Sequence, residues 1–512
     1  MHVPLTIADH LERAARVFPD RVAFVDEPDQ PADAYDGGTV TYGRMLELAR
    51  AQAAAFEELG VAQGGRVGIV SHNSARLLTA FWGVSMWGRV LVPINYRLSR
   101  KEIAFIVDHA GIEVLLVDPE LEEVCAGTSA RHTFVLGRDD EQVHRFDAEP
   151  AAWERDETAT ATINYTSGTT ASPKGVQMTH RNLWTNSVTF GWHMGVSDRD
   201  VYLHTLPMFH CNGWGMPYAM TAMGAKHVVI RQIDGVEILR RIEQHDVTML
   251  CGAPAVLDAV LRAARDWDGP VPGAGRLRLV AAGAPPPSTT IQAVEEVLGW
   301  QFNQIYGLTE TAPLLTINRP VAEYDELTTS ERAKRLMRAG VPTIGVDVRI
   351  DGNGEILARS NHVLEGYWEN PDASAAALDG GWFHTGDAGY VDDDGYVVIN
   401  DRKKDVIISG GENISSIEVE DVLFGHPQVA EVAVIGVPHD KWGETPKALV
   451  VLEPGAEVTE DDLVAYCRDE IAHYKCPSSI EFRDELPRTA TGKLQKFVLR
   501  EPYWEGRDRR IN

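Results

Sequence analysis

Hydrophobic positions along the chain change period many times, and the changes mark elements. Near the start, Ile7, Leu11 and Ala14 fall on one helical face. Thr41 is placed to cap a helix carrying Met45, Leu46, Leu48 and Ala49. A short β-branched run, Arg66 to Val70, precedes a helical stretch from Ser74 to Gly88. Strand-like Val90 to Ile94 follows, then a helix from Glu102 to Ala110 and a strand from Val114 to Val117. The alternation resumes with a β-prone segment at Thr160 to Tyr165 and a helix expected over Val176 to Val188. Strands are expected at Lys226 to Ile230, Val247 to Cys251 and Arg278 to Ala282, with a helix over Gly235 to His245. Strand and helix alternating at this spacing predict parallel sheet covered by helices.

Past Ala339 the pattern shortens. Val346–Ile350, Glu355–Ala358 and Tyr396–Ile399 read as strands punctuated by D-G-N-G, D-G-G and D-D-D-G turns. That is antiparallel sheet or small-barrel chemistry. From Asp401 a further unit begins. Val429 to Val437 and Lys447 to Leu452 read as paired strands. Thr459 with Asp462 forms a capping box before a helix bearing Leu463, Tyr466, Cys467, Ile471 and Tyr474.

A chain of 512 residues exceeds one core, so at least two domains are expected. The net charge of −27 argues against a nucleic-acid partner, which needs a basic stripe. Local positive groups can still gather an anionic substrate. The five cysteines, at 125, 211, 251, 467 and 476, are dispersed without a C-x-x-C pair. They suggest reduced thiols in a cytoplasm and no zinc site. The N-terminus lacks a basic segment followed by an apolar run, so no signal peptide is expected, and no transmembrane segment is long enough to span.

One stretch carries unusual chemistry. Tyr165 to Gly175 reads Y-T-S-G-T-T-A-S-P-K-G, and five of these eleven residues are Thr or Ser. Glycine lets backbone N–H groups turn inward on an anion, and a lysine adds a point charge. A nucleotide P-loop would need G-K-[ST], which is missing here. Alone, such a run is an ordinary polar turn. Further motifs follow in order. Y-G-L-T-E, Tyr306 to Glu310, offers an aromatic to stack on a base and a lone carboxylate suited to Mg²⁺ beside phosphate. H-T-G-D ends in Asp387, placed to accept ribose hydroxyls. Arg402 opens D-R-K-K-D. Gly410 and Gly411 follow in S-G-G-E-N-I, and Lys493 sits in P-R-T-A-T-G-K. Each has a bland reading by itself: a capped turn, an Asx turn, a solvated charge run, an exposed lysine.

Taken together with M-F-H, which opens M-F-H-C-N-G-W-G-M-P-Y at Met208, these ordered motifs resemble the acyl-adenylate-forming superfamily of acyl-CoA synthetases, beetle luciferases and peptide-synthetase adenylation domains. Within it the chain looks most like fatty acyl-CoA synthetases. The resemblance covers the whole chain. It implies an α/β fold: a large N-terminal domain, 1–401, of two helix-flanked sheets plus a distorted β-barrel. A small mobile α+β C-terminal lid, 402–512, would follow. It also implies a two-step reaction. A carboxylic acid attacks the α-phosphorus of ATP, giving an acyl-adenylate and pyrophosphate. The thiol of coenzyme A then displaces AMP.

By motif position, Thr166, Ser167, Gly168, Thr169, Thr170 and Lys174 would cradle the phosphates, with Thr166 and Glu310 on Mg²⁺. Tyr306 would stack on adenine beside Gly307, and Thr309 would touch the α-phosphate. Asp387 and Arg402 would hold the ribose, and His210 and Gly283 would border the acyl site. Lys493 would bridge carboxylate and α-phosphate. Lys404 stands at the family's hinge position, and Gly410 with Gly411 would line the pantetheine channel. Ala171 departs from the family, which usually has glycine there. A homodimer is a further expectation, which no motif carries. Two rivals share part of this reading: a ligase passing the adenylate to an amine or a carrier-protein thiol, and a nucleotide-binding protein without turnover. The intact Lys174, Glu310, Asp387 and Lys493 argue against the second rival.

Overall fold

The computed structural model describes residues 1–28, 30–31, 35–166, 173–283, 286–402, 405–410, 412–439, 441–488 and 494–505. Two large sheets dominate the first 370 residues. In one, seven-stranded, Arg66–Val70, Val90–Ile94, Ile112–Val117 and His132–Val135 run parallel, joined by Thr160–Thr166. In the other, nine-stranded, six parallel strands are flanked by antiparallel edges; Met249–Gly252, Arg278–Ala281 and Gln301–Gly307 lie side by side. Near-continuous runs such as V-L-V-P-I, buried at every position, are what a parallel strand covered on both faces requires. The predicted Thr41 cap is in place, and Ser74 caps the next helix. Thr41 and Ser74 accept N–H bonds from Arg44 and Leu77.

Two expectations are corrected. Residues 174–179 form a strand, Lys174–Thr179, antiparallel to Thr160–Thr166; the helix starts only at His180 and runs to His193. The reason is local. K-G-V-Q-M-T alternates, burying Val176 and Met178, while Thr179 caps with Asn182 in a reciprocal pair. The hydroxyl-rich stretch therefore joins two strands of a hairpin, with no helix N-terminus directly behind it. Likewise the helix Glu460–Glu470 stops before Ile471, whose backbone is extended; Ile471 and Tyr474 lie beyond it.

Four antiparallel strands, Val346–Ile350, Glu355–Ser360, Phe383–Val391 and Val397–Arg402, make the expected smaller sheet. A final sheet with its own apolar core, including Ile407, Val419, Val434, Val450 and Leu463, forms a small C-terminal domain. Val429–His439 and Gly443–Leu452 pair there as predicted. At the seam between the units, Lys496 Nζ lies 2.9 Å from Glu420 and 3.5 Å from Asp401 at the end of the preceding sheet. It also bonds Ser416, which bonds Asp401. Burial alone would lower the Lys496 pKa; Asp401 and Glu420 outweigh it and raise the pKa. Across the same seam the Asp421 carboxylate accepts the Ser288 N–H at 2.8 Å.

Candidate active site

The parallel strands of the nine-stranded sheet end together at Gly283 and Gly307, at the carboxyl edge where open α/β sheets bind ligands. Both glycines are required by geometry. Gly283 has φ +97°. A Cβ on Gly307 would sit 1.5 Å from the Pro313 carbonyl oxygen.

Tyr306, the penultimate residue of its strand, points its hydroxyl at Asp387 Oδ2, 2.7 Å away. Asp387 is buried, and its other oxygen meets Arg402 Nε at 3.0 Å. Asp387 and Arg402 are direct cross-strand partners, so sheet register alone brings T-G-D and D-R together. Thr385 completes the corner. Its hydroxyl accepts the Asp387 N–H at 3.1 Å and donates to the Ile356 carbonyl at 2.6 Å. Burial, then the Asp387 carboxylate, hold the Tyr306 phenol well above its usual pKa, so it remains a donor. Burial would depress Arg402; the carboxylate of Asp387, then Tyr306 and Glu310, more than restore its charge.

Glu310 belongs to the same group. It lies in the turn Thr309–Thr311, within the field of Arg402. Its Oε1 accepts the Tyr367 hydroxyl at 3.0 Å, and its backbone carbonyl takes the Leu364 N–H at 2.7 Å. Tyr367 in turn carries Lys174, whose ammonium stands 4.9 Å from its ring centre. Thr166 faces Lys174 across the hairpin in direct register. Contacts run from Lys174 through Tyr367 to Glu310 and from Arg402 through Asp387 to Tyr306, and the charge attraction between Glu310 and Arg402 joins the two halves. Together they gather residues far apart in sequence into one cationic, hydroxyl-bearing and carboxylate-bearing group.

Ser167, Gly168, Thr169, Thr170 and Ala171 lie outside the described residues, as do Lys404, Gly411 and Lys493. Gly410 has φ +63° and packs on Trp442 within the C-terminal domain, apart from this group. His210 precedes a tight turn, Cys211–Trp214, whose Cys211 and Trp214 share an apolar cluster with Ala282 and Ile305. Those two residues are the chain neighbours of Gly283 and Tyr306. Cys211 and Trp214 hold φ of 46° and 60°. Left-handed backbone costs an L-residue about 1–2 kcal/mol. Sequence reading missed Tyr367 and Thr385. Tyr367 stands in E-G-Y-W without periodicity, and a glycine before paired aromatics was its only signal.

The donor set fits Mg²⁺. Among the described residues no three His, Cys, Asp or Glu side chains converge as a metal cage. One carboxylate beside hydroxyls is what a cation keeping water and phosphate oxygens requires.

A buried tyrosine hydroxyl on a carboxylate, an arginine paired with that carboxylate and a lysine-bearing hairpin, brought together from three sheets, are the donor set of an ATP-using, adenylate-forming class of enzyme. The chain belongs to the AMP-binding enzyme family: that family's model matches residues 11–368, and its C-terminal domain model matches 418–493. It is 35% identical to the 2-methylpropanoate–CoA ligase of Humulus lupulus, over 97% of this chain and 95% of that protein. Among solved structures it resembles o-succinylbenzoate CoA synthetase of Bacillus subtilis with its acyl-adenylate: TM-score 0.82, 29% identity, 96% and 97% of the two chains. It also resembles a fatty acyl CoA synthetase of Mycobacterium tuberculosis: TM-score 0.73, 32% identity, 97% and 98% covered. No helix among the described residues is long and apolar enough to cross a membrane.

Proposed function

We propose that this protein is an AMP-forming carboxylic acid–CoA ligase. A carboxylate oxygen attacks the α-phosphorus of ATP, the α–β phosphoanhydride bond breaks, and pyrophosphate leaves. The coenzyme A thiol then gives up its proton, its sulfur bonds the acyl carbon, and AMP departs. The Lys174-to-Tyr306 contact chain supports this reading most strongly, because it joins four separately recognised motifs.

Most of the first step is positioning and charge neutralisation. The Tyr306 ring stacks on adenine while its hydroxyl stays on Asp387, tying the base pocket to the ribose pocket. A carboxylate has about four lone-pair positions, so Asp387 can hold Tyr306, Arg402 and ribose hydroxyls at once. Lys174, with Thr166 and residues 167–170, holds the β- and γ-phosphates, and Thr309 the α-phosphate. Thr166 and Glu310 would hold Mg²⁺, which supplies charge neutralisation to the phosphates. Lys493 bridges the two reacting anions. The 402–512 unit turns at Lys404 between half-reactions, exchanging Lys493 for Gly410 and Gly411 on the pantetheine path.

His210 and Gly283 border an apolar acid site, and the buried Trp214 and Met216 favour an apolar tail. The acids named for the relatives include a short branched acid, an aromatic dicarboxylic acid and fatty acids, so the relatives do not fix one acid for this chain. All five cysteines are free, in keeping with a reducing cytoplasm. The test is acid-dependent pyrophosphate release with ATP and Mg²⁺, followed by mass spectrometry of products with coenzyme A or with amines. Acyl-CoA formation is expected. Adenylate passing only to amines would assign the amide-forming alternative, and no pyrophosphate with any acid would overturn the reading.

A further inference from the structure

The turn after His210 has a backbone that L-residues rarely sustain. Five consecutive residues take positive φ: Cys211 46°, Asn212 50°, Gly213 57°, Trp214 60° and Gly215 77°. Three of the five carry a Cβ, and left-handed backbone usually occurs one residue at a time. Such a run persists only where the surroundings over-determine it.

The surroundings are identifiable. The Asn212 amide donates to the Thr162 hydroxyl at 2.9 Å. Thr162 donates to Asn164 Oδ1 at 3.2 Å. Asn164 donates back to Asn212 Oδ1 at 3.2 Å, closing a ring in which each side chain gives one bond and takes one. Asn164 also reaches the Phe209 carbonyl at 3.4 Å, just before His210. All three ring members are buried, at 2% exposure or less. Thr162 and Asn164 alternate along one strand, so they share a face, and the next residue on that face is Thr166. One strand face thus grips the turn at one end and leads into the hydroxyl-rich hairpin at the other.

We propose that Asn212 is a positioning residue for the acid substrate. Through its ring with Thr162 and Asn164 it fixes the left-handed turn, and with it His210 and Trp214, against the strand that ends at Thr166. The proposal rests on the reading of this region as the acid site. Asn212→Gly keeps the backbone freedom and deletes the amide. Thr162→Val opens the ring at nearly constant shape, and Thr162→Ser closes it again.

Steady-state pyrophosphate release is measured with 2-methylpropanoate, benzoate and hexanoate at saturating coenzyme A. In Asn212→Gly and Thr162→Val the KM for acid is expected to rise about tenfold. The ranking of the three acids should change, while KM for ATP moves less than about twofold. Thr162→Ser should restore both acid KM and ranking. If Asn212→Gly does not fold, the Thr162 pair decides alone. Unmoved acid KM and ranking, or a loss of kcat and thermal stability with KM for acid and ATP unchanged, overturns the positioning role. A wild type that releases no pyrophosphate with any acid overturns the functional reading and the positioning role together, whereas a normal wild type with silent variants overturns the second alone.

Discussion

The two regions proposed to hold the nucleotide and the acid are built by opposite means. At the nucleotide end, charged and hydroxyl side chains from several elements hold one another: Tyr306 on Asp387, Asp387 on Arg402, Tyr367 on Glu310. At the acid end the polar contacts point away from the apolar wall, into the Thr162–Asn164–Asn212 ring, and strained backbone presents Trp214 and Cys211. The first arrangement recognises a fixed ligand, since ATP never varies, and each donor has a definite partner. The second sets a shape, and shape is what distinguishes one apolar acid from another.

This contrast makes separable demands. Lys493→Ala should bear on both ends if Lys493 bridges them as proposed: adenylation should fall by about 10²–10³-fold. Thiolation of a supplied acyl-adenylate should survive, read by single-turnover release of AMP. Equal loss in both half-reactions would argue against a lysine that acts only in the first. Asp387→Ala removes a buried charged acceptor, and a charged hydrogen bond contributes about 1.5–3 kcal/mol, so KM for ATP should rise about ten- to a hundredfold. The relative rates of different acids should not change; if they do, the two ends are less independent than described. Tyr306→Phe keeps the ring and loses the tie to Asp387, for about a fivefold rise in KM for ATP. Tyr367→Phe is the mildest. It keeps the face beneath Lys174 and frees Glu310, so the Mg²⁺ concentration for half-maximal rate should shift about two- to threefold. A Tyr367→Phe enzyme with altered acid ranking and unaltered Mg²⁺ response would break the assignment.

Much of the nucleotide end was legible because its residues sit in short, punctuated motifs. Strand-end glycines and a lone acid after an aromatic are local signals, and the register pairing of Asp387 with Arg402 then follows from one antiparallel strand pair. Tyr367 was not legible, since its role depends on a two-residue edge strand meeting Lys174–Thr179 across almost 190 residues. The misplaced helix start near Val176 had a local remedy: Thr179 and Asn182 form the capping pair that marks the real start. The acid end was legible only as composition. M-F-H-C-N-G-W-G names apolar residues, but a left-handed turn is specified by the Thr162–Asn164 partners some fifty residues upstream.

The buried trio of Lys496, Asp401 and Glu420 bears on how the small domain moves. Asp401 belongs to Val397–Arg402, the last strand of the four-stranded sheet, whereas Lys496 and Glu420 belong to the C-terminal domain. The swing at residue 404 proposed above would draw Asp401 away from its cation, and stripping one member from a buried ion pair costs about 3–5 kcal/mol. Halfway angles are therefore disfavoured unless a new partner meets the stranded carboxylate. Such a joint behaves as a latch with discrete stops, and the enzyme would spend its cycle seated in one stop or the other.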